Sequence, residues 1–323
     1  MPLGGCGLFL SAWFRKAARA AYESATCMHV AGTCRHPGET AEEQALHRQA
    51  LRRSLVGVGA IVAVVAGVAL DAGSQAMRGT LAFAVFSMKP SPGRLAFYAV
   101  ATGLILRSLV AECVQKSLDG DGHLPVIVRR LGYPAYWTVQ TLTMLLVLFG
   151  LSLAGEAALL AGALPPGGLA PALLVAAPHR LAVVATTQAA MVTLLFTCTM
   201  WGSDTWRRKY ITELEEQGVP YGVLELWAHY TMWVAVPDLL VVRRPNVLQT
   251  LSPGLGSCAQ IVTAYTCLFG GLLVATKALT GRVQYSVIAG MMTLRMFPLI
   301  LLGVAALQCL VASALCLAVE YTL

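Results

Sequence analysis

The chain has 323 residues, of which 57% are hydrophobic and 12% charged, and its formal net charge is +7. A typical soluble protein carries about 25% charged residues, so this composition excludes an ordinary soluble domain. The basic excess lies in the N-terminal segment and between apolar runs, where it indicates membrane orientation and not a nucleic-acid partner. Many of the apolar runs approach the roughly 20 residues of a membrane-spanning helix, and no alternating β-barrel pattern is present.

The first 53 residues are mixed in character. A largely apolar stretch at 8–14 precedes Arg15, Lys16 and Arg19, and no acidic residue occurs before Glu23. A basic, acid-poor start is typical of an organellar transit peptide or of an amphipathic helix in the membrane interface. We interpret residues 1–53 as a basic, amphipathic N-terminal segment with a possible role in targeting.

An additional hydrophobic helix is predicted before the main domain. Residues 54–70 are rich in valine and glycine and are at the short limit for a membrane span. The sequence Lys-Pro-Ser-Pro-Gly-Arg at 89–94 then breaks any helix. The predicted organisation is therefore a basic segment at 1–53, an extra helix with a Pro/Gly linker at 54–93, and a main domain at 94–323.

The main domain contains six further apolar runs. Their approximate bounds are 95–110, 134–154, 181–202, 221–242, 258–276 and 287–319. Pro237 predicts a kink in the fourth, and Arg295 with Pro298 predicts a break in the sixth. The predicted fold is an all-α polytopic membrane helical bundle of six core transmembrane helices, with one extra N-terminal hydrophobic helix.

The distribution of lysine and arginine predicts the orientation. The connection after the first core span and the connection after the third each contain three basic residues, whereas the connection after the second contains only Arg180. Cytoplasmic loops are enriched in basic residues, so the first and third connections are predicted to be cytoplasmic. Arg243 and Arg244, after the fourth span, are counted against this scheme.

His229 is the histidine that lies deepest in an apolar run, about 12 Å along the fourth span at roughly 1.5 Å per residue. An ionisable side chain inside a membrane is a functional-site hypothesis by default. Thr138 lies four residues into the second span, which runs in the same direction as the fourth. The mismatch in depth is about 6 Å, so the two side chains are able to meet in the same leaflet.

A threonine and a histidine at one depth suggest nucleophilic chemistry. A threonine hydroxyl needs an adjacent base to act as a nucleophile, and imidazole is the usual base. Glu225 precedes His229 by four residues and is a possible orienter of its ring. Trp227, Tyr230 and Gln140 are candidate oxyanion donors. An apolar site between helices would suit a lipid acyl chain.

Each of these residues also has a structural interpretation. Threonine in a membrane helix commonly bonds to its own preceding turn or to a neighbouring helix, and His229 would make an interhelical hydrogen bond. His179 adjoins Arg180 at the edge of the third span and is predicted to be interfacial. Polar residues expected to hold helices together are Thr141, Thr186, Thr187, Gln188, Thr193 and Thr197.

The segments that carry these residues resemble the androgen-induced-gene membrane protein family. The resemblance covers residues 94–323 and rests on Tyr136-Trp137-Thr138, on the run Val-Thr-Leu-Leu-Phe at 192–196, and on Leu226-Trp227-Ala228-His229 with the downstream Pro237. Leu279-Thr280-Gly281 followed by Tyr285 is similar to the start of the family's last span. The order and spacing of these segments carry the resemblance.

The resemblance implies an activity and its residues. Thr138 matches the family's catalytic threonine and His229 its catalytic histidine. The implied reaction is hydrolysis of fatty-acid esters of hydroxy fatty acids through a threonyl-acyl intermediate. Around His229 the chain departs from the family, because Glu225 and Leu226 replace an asparagine and a second histidine, and Tyr230 replaces a threonine.

The leading interpretation is an integral, multi-pass membrane hydrolase of a lipid or fatty-acid ester, in an endomembrane, plasma or mitochondrial membrane. The basic start and the altered surroundings of His229 leave a second one open: an inactive scaffold or subunit with partners in an organellar membrane complex. A transporter is less favoured, because no span carries charges along one face. No metal or organic cofactor is implied, since Cys27 and Cys34 with their neighbouring histidines do not have zinc-ligand spacing.

Overall fold

A computed structural model describes residues 90–115, 134, 136–164, 169–202, 204, 207, 208, 212, 229–243, 255–281 and 297–321. Every regular element in these ranges is helical, and four helices are long and apolar enough to cross a membrane. Two shorter apolar helices accompany them. The protein is an all-α membrane helical bundle, as the sequence predicts. Residues 1–53, the extra helix at 54–70 and the loop at 165–168 lie outside the described residues.

Six α-helices form the described part of the bundle. We number them α1 (Pro92–Gln115), α2 (Trp137–Leu160), α3 (Ala177–Trp201), α4 (Met232–Pro237), α5 (Leu255–Thr280) and α6 (Phe297–Tyr321). A helical turn at Leu169–Pro171 and a π-helix at Ala172–Ala176 lead into α3, and a second π-helix at Asp238–Val242 follows α4.

Two helix boundaries follow from local chemistry. Helix α1 begins at Pro92, inside the predicted break, because proline is preorganised for the first helical position. Helix α6 begins at Phe297, so Pro298 falls in its first turn, where no intrahelical bond is lost. The proline therefore starts this helix and does not interrupt it.

Two predicted spans were too short. Helix α2 continues to Leu160, beyond the predicted end at 154, and this places Glu156 inside the helix. Helix α3 begins at Ala177, and its continuous candidate span Leu173–Cys198 includes His179. The prediction that His179 is interfacial was wrong, because Pro178 occupies the first turn of the helix and the histidine is buried.

Helix α4 changes type at its proline. The α-helix Met232–Pro237 passes directly into the π-helix Asp238–Val242. Proline has no backbone N–H and cannot continue the regular ladder of hydrogen bonds. Short π-helical segments of this kind frequently occur at functional sites.

Helix α2 is the most enclosed helix of the described bundle. All residues from Trp137 to Leu145 are buried. Helix α1 packs antiparallel along it, with Phe97 and Tyr98 contacting the ring of Phe149 at centroid distances of 6.3 and 6.4 Å. On another side of α2, Gly155 allows close approach to the backbone of Leu174. Side chains at the start of α2 are therefore held inside the bundle.

Candidate functional site

The segment that carries His229 is anchored to α2 at its far end. Arg243 donates from Nη2 to Ser152 Oγ at 2.6 Å. Going back along the chain from this contact, His229 precedes Arg243 by the same sequence separation as Thr138 precedes Ser152 (243 − 229 = 152 − 138). Because the two segments run in the same direction, His229 and Thr138 lie toward the same end of the bundle.

Contacts with α3 give a second measure of depth. Trp137 Nε1 donates to Gln188 Oε1 at 3.0 Å, and Thr193 Oγ1 donates to the carbonyl of His229 at 2.6 Å. The separation between Gln188 and Thr193 (193 − 188) is about 7.5 Å along a helix. The two measures place Thr138 and His229 between the same depth and roughly 7.5 Å apart, comparable with the predicted mismatch of about 6 Å.

His229 is buried between aromatic and hydroxyl groups of α3. Its ring stacks on Phe196 with centroids 4.0 Å apart and planes inclined by 20°. Tyr230 meets the same phenylalanine edge-on at 5.9 Å, and Thr197 Oγ1 donates to the Tyr230 hydroxyl at 3.4 Å. The stacking fixes the plane of the imidazole, as a base or an interhelical anchor requires.

Thr138 is buried with 4% of its surface exposed. Its neighbours are firmly held. Gln140 Nε2 donates to the carbonyl of Pro134 at 2.5 Å, and its Oε1 accepts from Tyr265 at 2.5 Å. Gln140 was a candidate oxyanion donor, but its amide group already donates to the backbone.

Thr138 and His229 share one end of the bundle but make no direct contact by hydrogen bonding. Among the hydrogen bonds of the described residues, none joins Thr138 to His229. Glu225 and Trp227 lie outside the described residues, so their proposed roles as orienter and oxyanion donor stay predictions.

Glu112 is a buried carboxylate that the predicted span, which ended at 110, left out. Helix α1 continues to Gln115, and Glu112 is completely buried. It extends a stripe of buried residues on α1 with alternating spacings of three and four: Tyr98, Ala101, Ile105, Ser108 and Glu112. Continuing that helical period beyond 110 would have revealed the residue.

A second polar cluster lies at the opposite end of these helices. Arg243 forms an ion pair with Asp238, donates to Ser152, and stands over the ring of Tyr98 with its guanidinium carbon 4.8 Å from the centroid. Arg243 and Asp238 are each 1% exposed. The assignment of Arg243 to a loop was therefore wrong, because its charge is compensated inside the bundle.

A further ion pair closes this end of the α1–α2 contact. Arg94 Nε lies 2.5 Å from Glu156 Oε1, and the backbone N–H of Ser91 donates to Glu156 Oε2 at 3.2 Å. A carboxylate that accepts from both groups ties the first turn of α1 to the last turns of α2. This pair fixes how the two helices are aligned along their axes.

Several polar residues hold helices together, as predicted. Gln188 Oε1 accepts from Trp137 on α2 and, at 3.3 Å, from Gln308 Nε2 on α6, while Thr266 on α5 donates to Gln308. Thr186 donates to the carbonyl of Ala235 at 3.4 Å. Thr187 instead donates to Val183 in its own helix. Among the described residues no group of three His, Cys, Asp or Glu side chains is placed to hold a metal ion.

The chain matches no protein-family model, no curated protein and no solved structure. Its function is therefore inferred from its own residues and their positions.

Proposed function

We propose that the protein is an integral-membrane hydrolase of lipid esters, with Thr138 as the nucleophile and His229 as a general base. One observation carries the proposal. The contact between Arg243 and Ser152 aligns two parallel segments so that both residues lie equally far from it along the chain, at one end of the bundle. Both are buried in an apolar environment.

The chemistry follows from this placement. The Thr138 hydroxyl would add to the ester carbonyl and displace the alcohol, leaving an acyl-threonine that water hydrolyses. The imidazole of His229, fixed by stacking on Phe196, would receive the hydroxyl proton directly or through a water molecule. A surrounding of apolar side chains favours a substrate with long acyl chains.

The resemblance to the androgen-induced-gene family supports the same two residues and suggests fatty-acid esters of hydroxy fatty acids as the substrate class. Membrane lipids would bring such a substrate to the bundle from the side. An endomembrane, the plasma membrane and a mitochondrial membrane are all compatible with this proposal.

A second candidate function is that of an inactive scaffold or subunit in a membrane complex. Two observations favour it: Thr138 and His229 share no hydrogen bond, and the amide of Gln140 is engaged by Pro134. A protein of this kind would use the polar contacts between α2, α3 and α6 for stability alone.

A lipid-like fluorophosphonate probe tests the proposal on the purified protein. We expect a covalent adduct on Thr138 that disappears in Thr138→Ala, because that variant lacks the nucleophile. We expect His229→Ala to lower ester turnover by about 100-fold or more, the scale of a lost general base. Mass spectrometry maps the adduct, and release of fatty acid measures turnover.

Thr143→Ala is the matched control. Thr143 is buried in the same helix, but its hydroxyl donates to the carbonyl of Val139 at 2.7 Å. This variant should keep both labelling and turnover. Absence of an adduct and of turnover in the wild type would reject the hydrolase and leave the scaffold.

A further inference from the structure

The ion pair between Arg94 and Glu156 defines where α1 and α2 face each other. The two helices are antiparallel, and this pair lies where α1 begins and α2 approaches its end. Phe97 and Tyr98 against Phe149 give the same alignment. The facing sides of both helices are therefore known from side-chain contacts at this end.

The same alignment can be followed to the other end of the pair. Glu112 follows Arg94 by the same sequence separation as Thr138 precedes Glu156 (112 − 94 = 156 − 138). This separation corresponds to five full turns of a helix with about 3.6 residues per turn. Glu112 and Thr138 thus have the same relation to each other as Arg94 and Glu156, five turns farther along.

Burial supports this extrapolation. Glu112 is 0% exposed and Thr138 is 4% exposed, so neither has rotated out of the bundle. Ile105 and Leu142, which lie midway along the same faces, are also buried and belong to the core cluster that joins α1 to α2. The contact between the helices is therefore continuous from one pair to the other.

We infer that Glu112 faces Thr138 and acts as the carboxylate base of its site. This inference rests on the proposed hydrolase function. The hydroxyl oxygen of Thr138 forms a bond to the ester carbonyl carbon, and the hydroxyl proton passes to the Glu112 carboxylate. Collapse of the tetrahedral intermediate breaks the bond to the alcohol, which leaves with that proton. Water then repeats both transfers, so that a fatty acid and an alcohol are released.

This assignment makes His229 a more distant member of the site. Thr138 has the azimuth of Glu156, a residue that contacts α1, because the two are five turns apart on one helix. His229 is instead held by α3, through Thr193 and Phe196. The nearest titratable side chain on the helix that Thr138 faces is that of Glu112.

Turnover in Glu112→Gln tests the inference. The amide keeps the size of the side chain but cannot accept the proton, so kcat/KM should fall by about 100-fold or more. The rise of kcat/KM with pH that reports ionisation of the base should disappear, whereas Glu112→Asp should restore part of the rate. Glu156→Gln is the control, because that carboxylate lies at the opposite end and should leave the pH profile unchanged.

Cross-linking tests the geometry separately from activity. In a background with the native cysteines replaced by alanine, cysteines at 112 and 138 should form a disulfide under mild oxidation. Cysteines at 112 and 139 should not, because Val139 points about 100° away around α2.

The outcomes separate this inference from the proposed function. An active wild type whose rate and pH profile are unchanged in Glu112→Gln overturns the role of Glu112 alone. Failure of the 112–138 disulfide also overturns it, whether or not esters are hydrolysed. A wild type with no turnover and no threonine adduct overturns the hydrolase, and the catalytic role of Glu112 with it.

Discussion

The ion pair of Arg243 and Asp238 lies among helices where an isolated charge would be prohibitively expensive. Its members compensate each other, and the hydroxyl of Ser152 and the face of the Tyr98 ring satisfy the remaining guanidinium surface. Such a pair need not add net stability compared with apolar residues, but loss of one partner strands a buried charge. Its position fixes the depth of the segment that carries His229.

Arg243→Met should therefore lower the free energy of unfolding by about 3–5 kcal/mol, because it leaves the Asp238 carboxylate buried without its counter-ion. The double variant Arg243→Met, Asp238→Leu should recover most of that loss. Thermal unfolding in detergent measures both variants. Arg207→Met is the control, since its pair with Asp204 at 2.9 Å is exposed and should contribute less than about 1 kcal/mol. Equal effects of the two single substitutions would contradict a special role for the buried pair.

At the residue scale, the sequence predicted the burial of Thr138 and His229 because both lie inside long apolar runs. It did not predict the burial of Arg243, since a basic residue at the end of an apolar run is normally solvated. Only the approach of Asp238, Ser152 and Tyr98, two of them on other helices, makes that position tolerable. Glu112 escaped prediction for the same reason.

The packing of α2 against the π-helix that leads into α3 depends on a glycine. A Cβ atom built at Gly155 would overlap the backbone carbonyl of Leu174, which cannot move aside as a flexible side chain would. Small residues allow backbones in membrane bundles to approach in this way. The side of α2 opposite that contact is then free to pack against α1.

Gly155→Ala should reduce stability by about 1–3 kcal/mol, the usual cost of overpacking, because the two backbones must separate. Gly150→Ala is the control in the same helix: nothing lies within 4 Å of a Cβ at that position. It should be neutral or stabilising by up to about 1 kcal/mol, since alanine favours a helix more than glycine does. Thermal unfolding of both variants gives the comparison, and a stable Gly155→Ala would show that the close approach is dispensable.

At the element scale, the sequence predicted which runs form helices because hydrophobicity over about 20 residues is a local property. It misplaced the end of α2 and the start of α3, where Glu156 and Pro178 suggest a boundary. Glu156 stays in the helix because Arg94 pairs with it, and Pro178 stays because the first turn tolerates proline.

At the scale of the whole molecule, the burial of Arg243 strengthens the predicted orientation. Counted as a loop residue, it argued against placing the connections after the first and third core spans in the cytoplasm. As a compensated charge inside the bundle it carries no topological signal. The end of the bundle with Thr138 and His229 is then predicted to face the cytoplasmic leaflet, and the Arg243 cluster the opposite one.

Cysteine accessibility tests this orientation. Thr212 and Ala161 are both exposed, the first beyond the end of α3 and the second beyond the end of α2. In a background without native cysteines, a membrane-impermeant maleimide applied from the cytoplasmic side should label Thr212→Cys and spare Ala161→Cys. Labelling from the other side should reverse the result. The opposite pattern would invert the topology without affecting the fold.

Composition and the lengths of the apolar runs by themselves determined that this protein is an all-helical membrane bundle and which segments form its helices, because both follow from hydrophobicity along the chain. They also marked Thr138 and His229 as polar residues at similar depth. Only the tertiary structure decided which side chains face each other. The partners of Arg243, the alignment of Arg94 with Glu156 and the position of Glu112 opposite Thr138 depend on axial and rotational register between helices, which contacts distant in the sequence establish.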